Sequence, residues 1–496
     1  MQLCLSRDFP DKMFRRPFMV RISSIPYRWL ALFTVSIGSF VATLDASIVN
    51  ISFPSLTRAF AVGPSVVLWV SVAYLLVSVS LMLTVGKLGD RLGRKKIFTT
   101  GFALFTGGLV LCALSQSMTQ LILSRMVQGI GAAMIISLGT AIAADAFPTT
   151  ERGKALGLLS AVVSVGLLTG PVLGGFLLDL LDWRAIFYTR VPIGIVGTAM
   201  AATLLKKQPR GEKRFPFDWP GAVLLSATLS CMIFLFNFGG RLGYLSPPAL
   251  ALAGITVLLF VLFVLREQRT AEPTVDLRLF RNRVFTSGNL SLVFMFFAVS
   301  SCTFLVPFYL IDALHRTAWH TGMILSVISA TTLVVAPLSG WLSDRIGSRL
   351  LCTAGMAIVC LALLSISRLD ARSDGADVVL RLFLFGLGSG LFQSPNNSAI
   401  IGAAPRSKLG TAAAMIATIR QVGISLGVAV SGTLFAGYRA LSAAKLAESG
   451  VGPSAIGDLS LVSSFQDTLF IASVICCAGI FLSLARGKEG PGGPIM

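Results

Sequence analysis

Residues 86–96 read GKLGDRLGRKK, and 254 positions further on residues 340–349 read GWLSDRIGSR. A long apolar run precedes each copy, at 66–85 and 321–336, and another follows it. The segment is therefore expected as a short turn between two membrane-crossing helices, used twice in one chain, and two copies of one loop imply two copies of one half. Glycines at its first and eighth positions, Gly86 and Gly93, then Gly340 and Gly347, allow positive φ and close helix approach. Gly89 falls between the first pair. Asp90 and Asp344 can accept from free N–H groups at a helix start or pair with a neighbouring arginine. Arg91, Arg94, Lys95 and Lys96, with Arg345 in the second copy, place this loop on the cytosolic side by the positive-inside rule.

The composition agrees with a chain that lives in lipid. Of 496 residues, 54% are hydrophobic and only 13% charged, with a mean hydropathy of +0.81, against about 25% charged in soluble domains. Apolar runs begin near Arg28, Val66, Ile97, Met118, Gly153, Ala185, Trp219, Pro248, Phe285, Thr321, Leu350, Val378, Gly410 and Phe465, which gives about fourteen helices of roughly 20 residues each. The net charge of +19 is spread over many short loops, so it serves topology and anionic lipid headgroups, and no nucleic-acid partner is expected. With the N-terminus in the cytosol, the even-numbered loops and both tails hold about 29 Lys and Arg and the odd-numbered loops about 8. Arg125, Arg190, Arg381 and Arg420 fall inside spans. Both termini are thus expected in the cytosol, in a multi-pass protein of the cytoplasmic membrane. Residues 1–27 read as a basic tail without the apolar core of a signal peptide, and residues 487–496 as a disordered tail. Cys112, Cys231, Cys302, Cys352, Cys360, Cys476 and Cys477 lie in or beside apolar runs and Cys4 in the tail. Without metal or disulfide spacing, packing is their expected role.

The duplication extends beyond the loop. Pro148 and Gly153 recur as Pro405 and Gly410, and Gly166 and Gly170 as Gly423 and Gly427, at an offset of 257. The expected plan is all-α: a six-helix half over 28–206, linkers and two extra helices over 207–283, and a second six-helix half over 284–486.

Three spans carry candidate chemistry. Asp45 stands among apolar residues about 9 Å from the outer end of the first span at 1.5 Å per residue. An intramembrane carboxylate costs about 2.5–3.5 kcal/mol on insertion scales, so it should face the bundle interior with a partner or a proton. Arg125, in LSRMVQGIGAA of the fourth span, lies at about the same depth, and the two are expected to be neighbours whose pairing a proton would loosen. A static salt bridge is the other reading. The fifth span contains GLLTGPVLGG, in which Gly166, Gly170, Gly174 and Gly175 permit close packing and Pro171 interrupts the helical ladder.

The first loop copy resembles the signature of the major facilitator superfamily between its second and third spans. LDASIVNISFP in the first span, DWRAIFYTRVPIG at 182–194 and SPNNSAIIGAAPRSKLGTAAAMIATIRQVGISLG at 394–427 resemble that superfamily's fourteen-span drug:proton antiporter branch, the EmrB/QacA type. The resemblance covers about residues 28–486. It implies a major facilitator fold, and GLLTGPVLGG resembles the antiporter motif of exporters. By the same analogy the cavity walls are spans one, four, nine and twelve, with Asn50, Gln128, Gln393, Asn396 and Asn397 as polar contacts amid Met295, Phe296, Phe297 and Phe304. Asp145 ends span four where Arg91 or Arg94 can reach it, a pairing expected to latch the cytosolic face, with Asp344 and Arg345 as a weaker second latch because Ser348 replaces a basic residue. Two departures stand out. Arg190 replaces the branch's usual Asn, and it is expected to snorkel outward or pair with Asp179 or Asp182. The second-half position equivalent to Asp45 falls among Val299, Ser300 and Ser301, without a carboxylate, so proton coupling is expected in the first half.

Other classes lack their marks. No Gly-x-x-x-x-Gly-Lys-Ser/Thr loop points to ATP, and no nucleophile elbow or His-Glu-x-x-His points to an enzyme. His315 and His320 read as surface residues, and no metal or cofactor is expected beyond a proton gradient. The expected function is a proton-coupled antiporter exporting amphipathic drugs or toxic compounds, with a periplasmic adaptor and outer-membrane channel as conceivable partners. The alternative is a dedicated exporter of one metabolite, such as a siderophore, a fatty acid or a biosynthetic product.

Overall fold

The structure is a computed structural model, and it describes residues 26–148, 151–207, 218–242, 246–270, 277–405, 409–449 and 452–486. Most of both tails, Cys4 and much of the basic linkers lie outside these, as do the side chains of Asp90, Arg91 and Asp344.

Helices follow one another with little between them: α1 (Tyr27–Ile51), α2 (Phe53–Phe60), α3 (Pro64–Leu92), α4 (Arg94–Ala113), α5 (Met118–Ala146), α6 (Arg152–Leu180), α7 (Ala185–Tyr188), α8 (Val191–Leu204), α9 (Trp219–Leu242), α10 (Pro247–Arg269), α11 (Arg283–Phe308), α12 (Ala318–Ile346), α13 (Ser348–Ile366), α14 (Gly375–Gly402), α15 (Leu409–Glu448) and α16 (Pro453–Leu484). Continuous helix is what a bilayer requires, since it satisfies every backbone polar group internally. Twelve helical stretches, α7 and α8 counting as one, are long and apolar enough to cross a membrane; shorter apolar stretches, Val66–Met82 and Trp219–Leu235, lie within α3 and α9.

Helices α1 to α8 pack among themselves, as do α11 to α16, while α9 and α10 pair with each other and α9 leans on both α3 and α15. The two groups repeat each other's contacts. Ser78 Oγ donates to Gly129 O, and Thr332 Oγ1 to Gly386 O. A methyl on Gly170 would overlap Ser47, and one on Gly427 would overlap Ser300.

The loop motif is tighter than the sequence reading has it. It is helix throughout except at one residue, Gly93 in the first copy and Gly347 in the second, with φ of +98° and +84°. That left-handed backbone favours glycine and lets one residue end one helix and begin the next. Gly86 and Gly340, also expected to turn the chain, are helical; each admits a serine of a neighbouring helix, Ser137 and Ser394, where a methyl would crowd it.

Candidate functional site

The two intramembrane arginines of the first group of helices meet at a single carboxylate. Asp45 on α1 is 0% exposed and accepts at Oδ2 from an Arg125 Nη1 on α5 at 2.6 Å. At Oδ1 it accepts from Gln128 Nε2 at 3.0 Å and from Arg190 Nη1 at 2.5 Å. Arg125 also donates from Nε to Val70 O at 3.0 Å and from Nη1 to Gln128 Oε1 at 2.6 Å, and its guanidinium lies 4.2 Å from the centre of the Tyr74 ring on α3. Side chains from α5 and from the start of α8 thus converge on one acid of α1, with α3 packed on Arg125. With all three ionised the cluster carries one net positive charge.

Two residues here have other places than their sequence reading. Arg190 does not snorkel, nor does it meet Asp179 or Asp182. It is 1% exposed and pairs with Asp45. The reason is local: α7 ends at Tyr188, and α8 restarts at Val191 with a proline in its first turn. Arg190 caps that restart and bonds Ile186 O at 2.6 Å, so its guanidinium crosses to α1. Gln128 is no free cavity amide either, since both ends of its side chain are engaged in the cluster. The signal for Arg190 was present: its depth along span six matches that of Asp45.

The glycines of GLLTGPVLGG seat the part of α1 that carries Asp45. A methyl on Gly166 would press on Phe40 O and Thr43, one on Gly170 on Ser47, and one on Gly174 on Ile48 and Ile51. At the very next residue the partner changes: a methyl on Gly175 would strike Ala318 O of α12, and one on Gly322 would strike Pro171 O of α6. One helix therefore touches the acid-bearing helix and the other group of helices at once.

Contacts between the two groups gather at the face opposite the loop motif. Asp179, at the end of α6, accepts from the backbone N–H groups of Ala318 and Trp319 at 3.0 and 2.8 Å, satisfying donors that the start of α12 leaves free. Arg58 on α2 pairs with Asp312 at 2.9 Å. Phe53 meets Phe304 edge-on and stacks on Phe308 of α11. At the loop-motif face Arg94 pairs with Asp145, but α4 and α5 belong to one group, so this bond does not latch the groups together. Arg345 lies over the ring of its near neighbour Trp341, 3.9 Å from its centre.

Of the remaining candidate cavity residues, one is turned to its neighbours. Asn396 is 0% exposed, with Nδ2 donating to Gly288 O at 3.2 Å and Oδ1 accepting from Arg486, so it ties α14 to α11 inside its own group. Asn50, Gln393 and Asn397 are half-buried, and Asn397 Oδ1 has no partner.

Two groups of helices, closed together at one face, one of them built around a buried acid, define a helical membrane transporter. Residues 35–428 match the Major Facilitator Superfamily, and the chain belongs to it. It is 36% identical over 409 residues to the riboflavin transporter RibZ of Clostridioides difficile (strain 630), covering 82% of this chain and 88% of that protein. It is 32% identical over 410 residues to the multidrug resistance protein Stp of Mycobacterium tuberculosis (strain CDC 1551 / Oshkosh), covering 82% and 76%. Its fold is similar to the crystal structure of a bacterial homolog of the human lysosomal transporter Spinster in an inward-facing, unoccupied conformation, with a TM-score of 0.69 at 16% identity over 93% of this chain and 98% of that one.

Arg190→Asn tests what the second arginine does. Asp45 keeps Arg125 and Gln128, so the variant is expected to fold and transport. One positive charge fewer then opposes the arrival of a proton at Asp45. Transport measured against pH should stay active to higher pH than in the wild type; an unchanged profile would mean that Arg190 only fills space.

Proposed function

We propose that the protein is a proton-coupled antiporter that exports amphipathic drugs or toxic compounds across the cytoplasmic membrane by alternating access, with its loop-motif face and both termini in the cytosol. The observation that carries this reading is Asp45, sealed from solvent and held by arginines on two other helical elements. A proton on that carboxylate removes the charge that holds α5 and α8 against α1. Because α6 grips the same stretch of α1 and also packs on α12, a change at Asp45 has a physical route to the contact between the halves. Similarity to Stp favours drugs as substrates. In this reading the energy source is the proton gradient, and transport needs no cofactor.

A second reading is favoured by the higher similarity to RibZ: a transporter dedicated to one metabolite on the same scaffold.

Inverted vesicles carrying the protein, an imposed pH gradient and a pH-sensitive dye separate these readings. Dye recovery on addition of several chemically unrelated amphiphiles is the expected result. Recovery with a single compound class would support the dedicated transporter, and recovery with none, from protein shown to be folded, would sink proton antiport.

A further inference from the structure

Arginines inside the membrane are costly and are expected to have partners. Arg125 and Arg190 share Asp45, Arg381 holds Asp377 with Nη2 at 2.6 Å, and Arg486 bonds Asn396 and Ser348. Arg420 on α15 is the exception among the described residues. The guanidinium has an aromatic face beside it, Phe296 of α11, 5.8 Å from the ring centre. The side chain is half-buried, and none of its nitrogens is both sealed and unpaired. A small ligand can therefore reach it.

Among the described residues no acid pairs with it: α11 and α9 contain no Asp or Glu, the one acid of α15 is Glu448 at its far end, and Asp458 and Asp467 of the neighbouring α16 are exposed. At 1.5 Å per residue, Arg420 lies about 16 Å along α15 from its start near the loop-motif face. That depth is beyond a lipid headgroup phosphate, which stays at the membrane surface. With no described acid on Arg420, a negative charge can come from a ligand. Beside Arg420, Phe296 is only 8% exposed and offers one edge of an apolar helix whose neighbouring Met295 and Phe297 are buried. A cation at an aromatic surface is suited to a ligand with a charged head and an apolar body.

We propose that Arg420 reads the negative charge of the transported compound, and that the preferred substrates are amphipathic organic anions bearing a carboxylate, sulfonate or phosphate. This inference rests on the reading of the chain as a small-molecule exporter and narrows it.

The test is equilibrium binding to the purified full-length protein in detergent, with 1-pyrenebutyrate and its uncharged amide as matched probes. The acid is expected to bind about tenfold tighter than the amide, in line with a charge-assisted hydrogen bond. Arg420→Gln should abolish that preference and Arg420→Lys should keep part of it, which distinguishes charge reading from loss of packing. Equal binding of acid and amide by the wild type, no binding of the acid, or a preference that survives Arg420→Gln would overturn the proposal. The measurement needs no gradient. Failure of proton antiport in vesicles therefore leaves this result standing, and the reverse also holds.

Discussion

Asp45→Asn is expected to abolish proton-linked transport and to destabilise the protein by about 3–5 kcal/mol, the usual cost of removing one partner from a buried charge pair. The amide keeps the shape but not the charge, so the guanidiniums of Arg125 and Arg190 are left facing each other at 1% exposure. A lower unfolding midpoint in detergent would register the second effect. The first requires that instability be separated from coupling, and the double variant Asp45→Asn/Arg190→Asn does this. Removing one of the two uncompensated cations should recover much of the stability while proton-linked transport stays absent. Dye recovery in the double variant equal to that of the wild type would show that Asp45 is a structural anchor and that the proton travels elsewhere.

Much of this cluster was readable before the fold was known, because depth along a helix follows from counting residues. Asp45 and Arg125 lie equally far from their helix ends, and opposite charges at one depth in lipid have strong reason to meet. The same count applied to Arg190, but it does not show which way a side chain turns. That was decided by the break between α7 and α8, where Pro192 restarts the helix and rotates Arg190 inward. The duplication was also legible, since Gly93 and Gly347 occupy equivalent places and both need left-handed backbone. The counterpart of Asp45 was placed only to within a few residues. Ser47 meets Gly170 as Ser300 meets Gly427, so Asp45, two residues before Ser47, corresponds to Ala298. The polar residues assigned to a cavity were the least legible. An amide in an apolar helix reads identically whether it faces a ligand or a neighbouring helix, and Gln128 and Asn396 both turned out to face neighbours.

Substituting Gly322 by valine is expected to remove transport as completely as the loss of Asp45, through a different step. Even a single methyl at Gly322 would strike the carbonyl of Pro171, which belongs to backbone and cannot rotate away. At the face opposite the loop motif α6 and α12 approach backbone to backbone, beside the Asp179 bonds to Ala318 and Trp319. Holding these helices apart should keep that face open and leave the protein in one half of its cycle. The readout is access: with Asn50 replaced by cysteine in a cysteine-free background, a membrane-impermeant maleimide added to the face opposite the loop motif should react about tenfold faster in the Gly322→Val variant. Asp179→Asn weakens the same closure without overlap, since its remaining carbonyl oxygen still accepts one bond, and should give a smaller change in the same direction. Unchanged labelling in both variants would mean that closure at this face does not depend on the α6–α12 contact. Closure would then rest on the contacts of α2, where Arg58 meets Asp312 and Phe53 meets Phe304. These lie further along the same face, and each could hold it shut only if the helices bearing them move as units with α1 and α12.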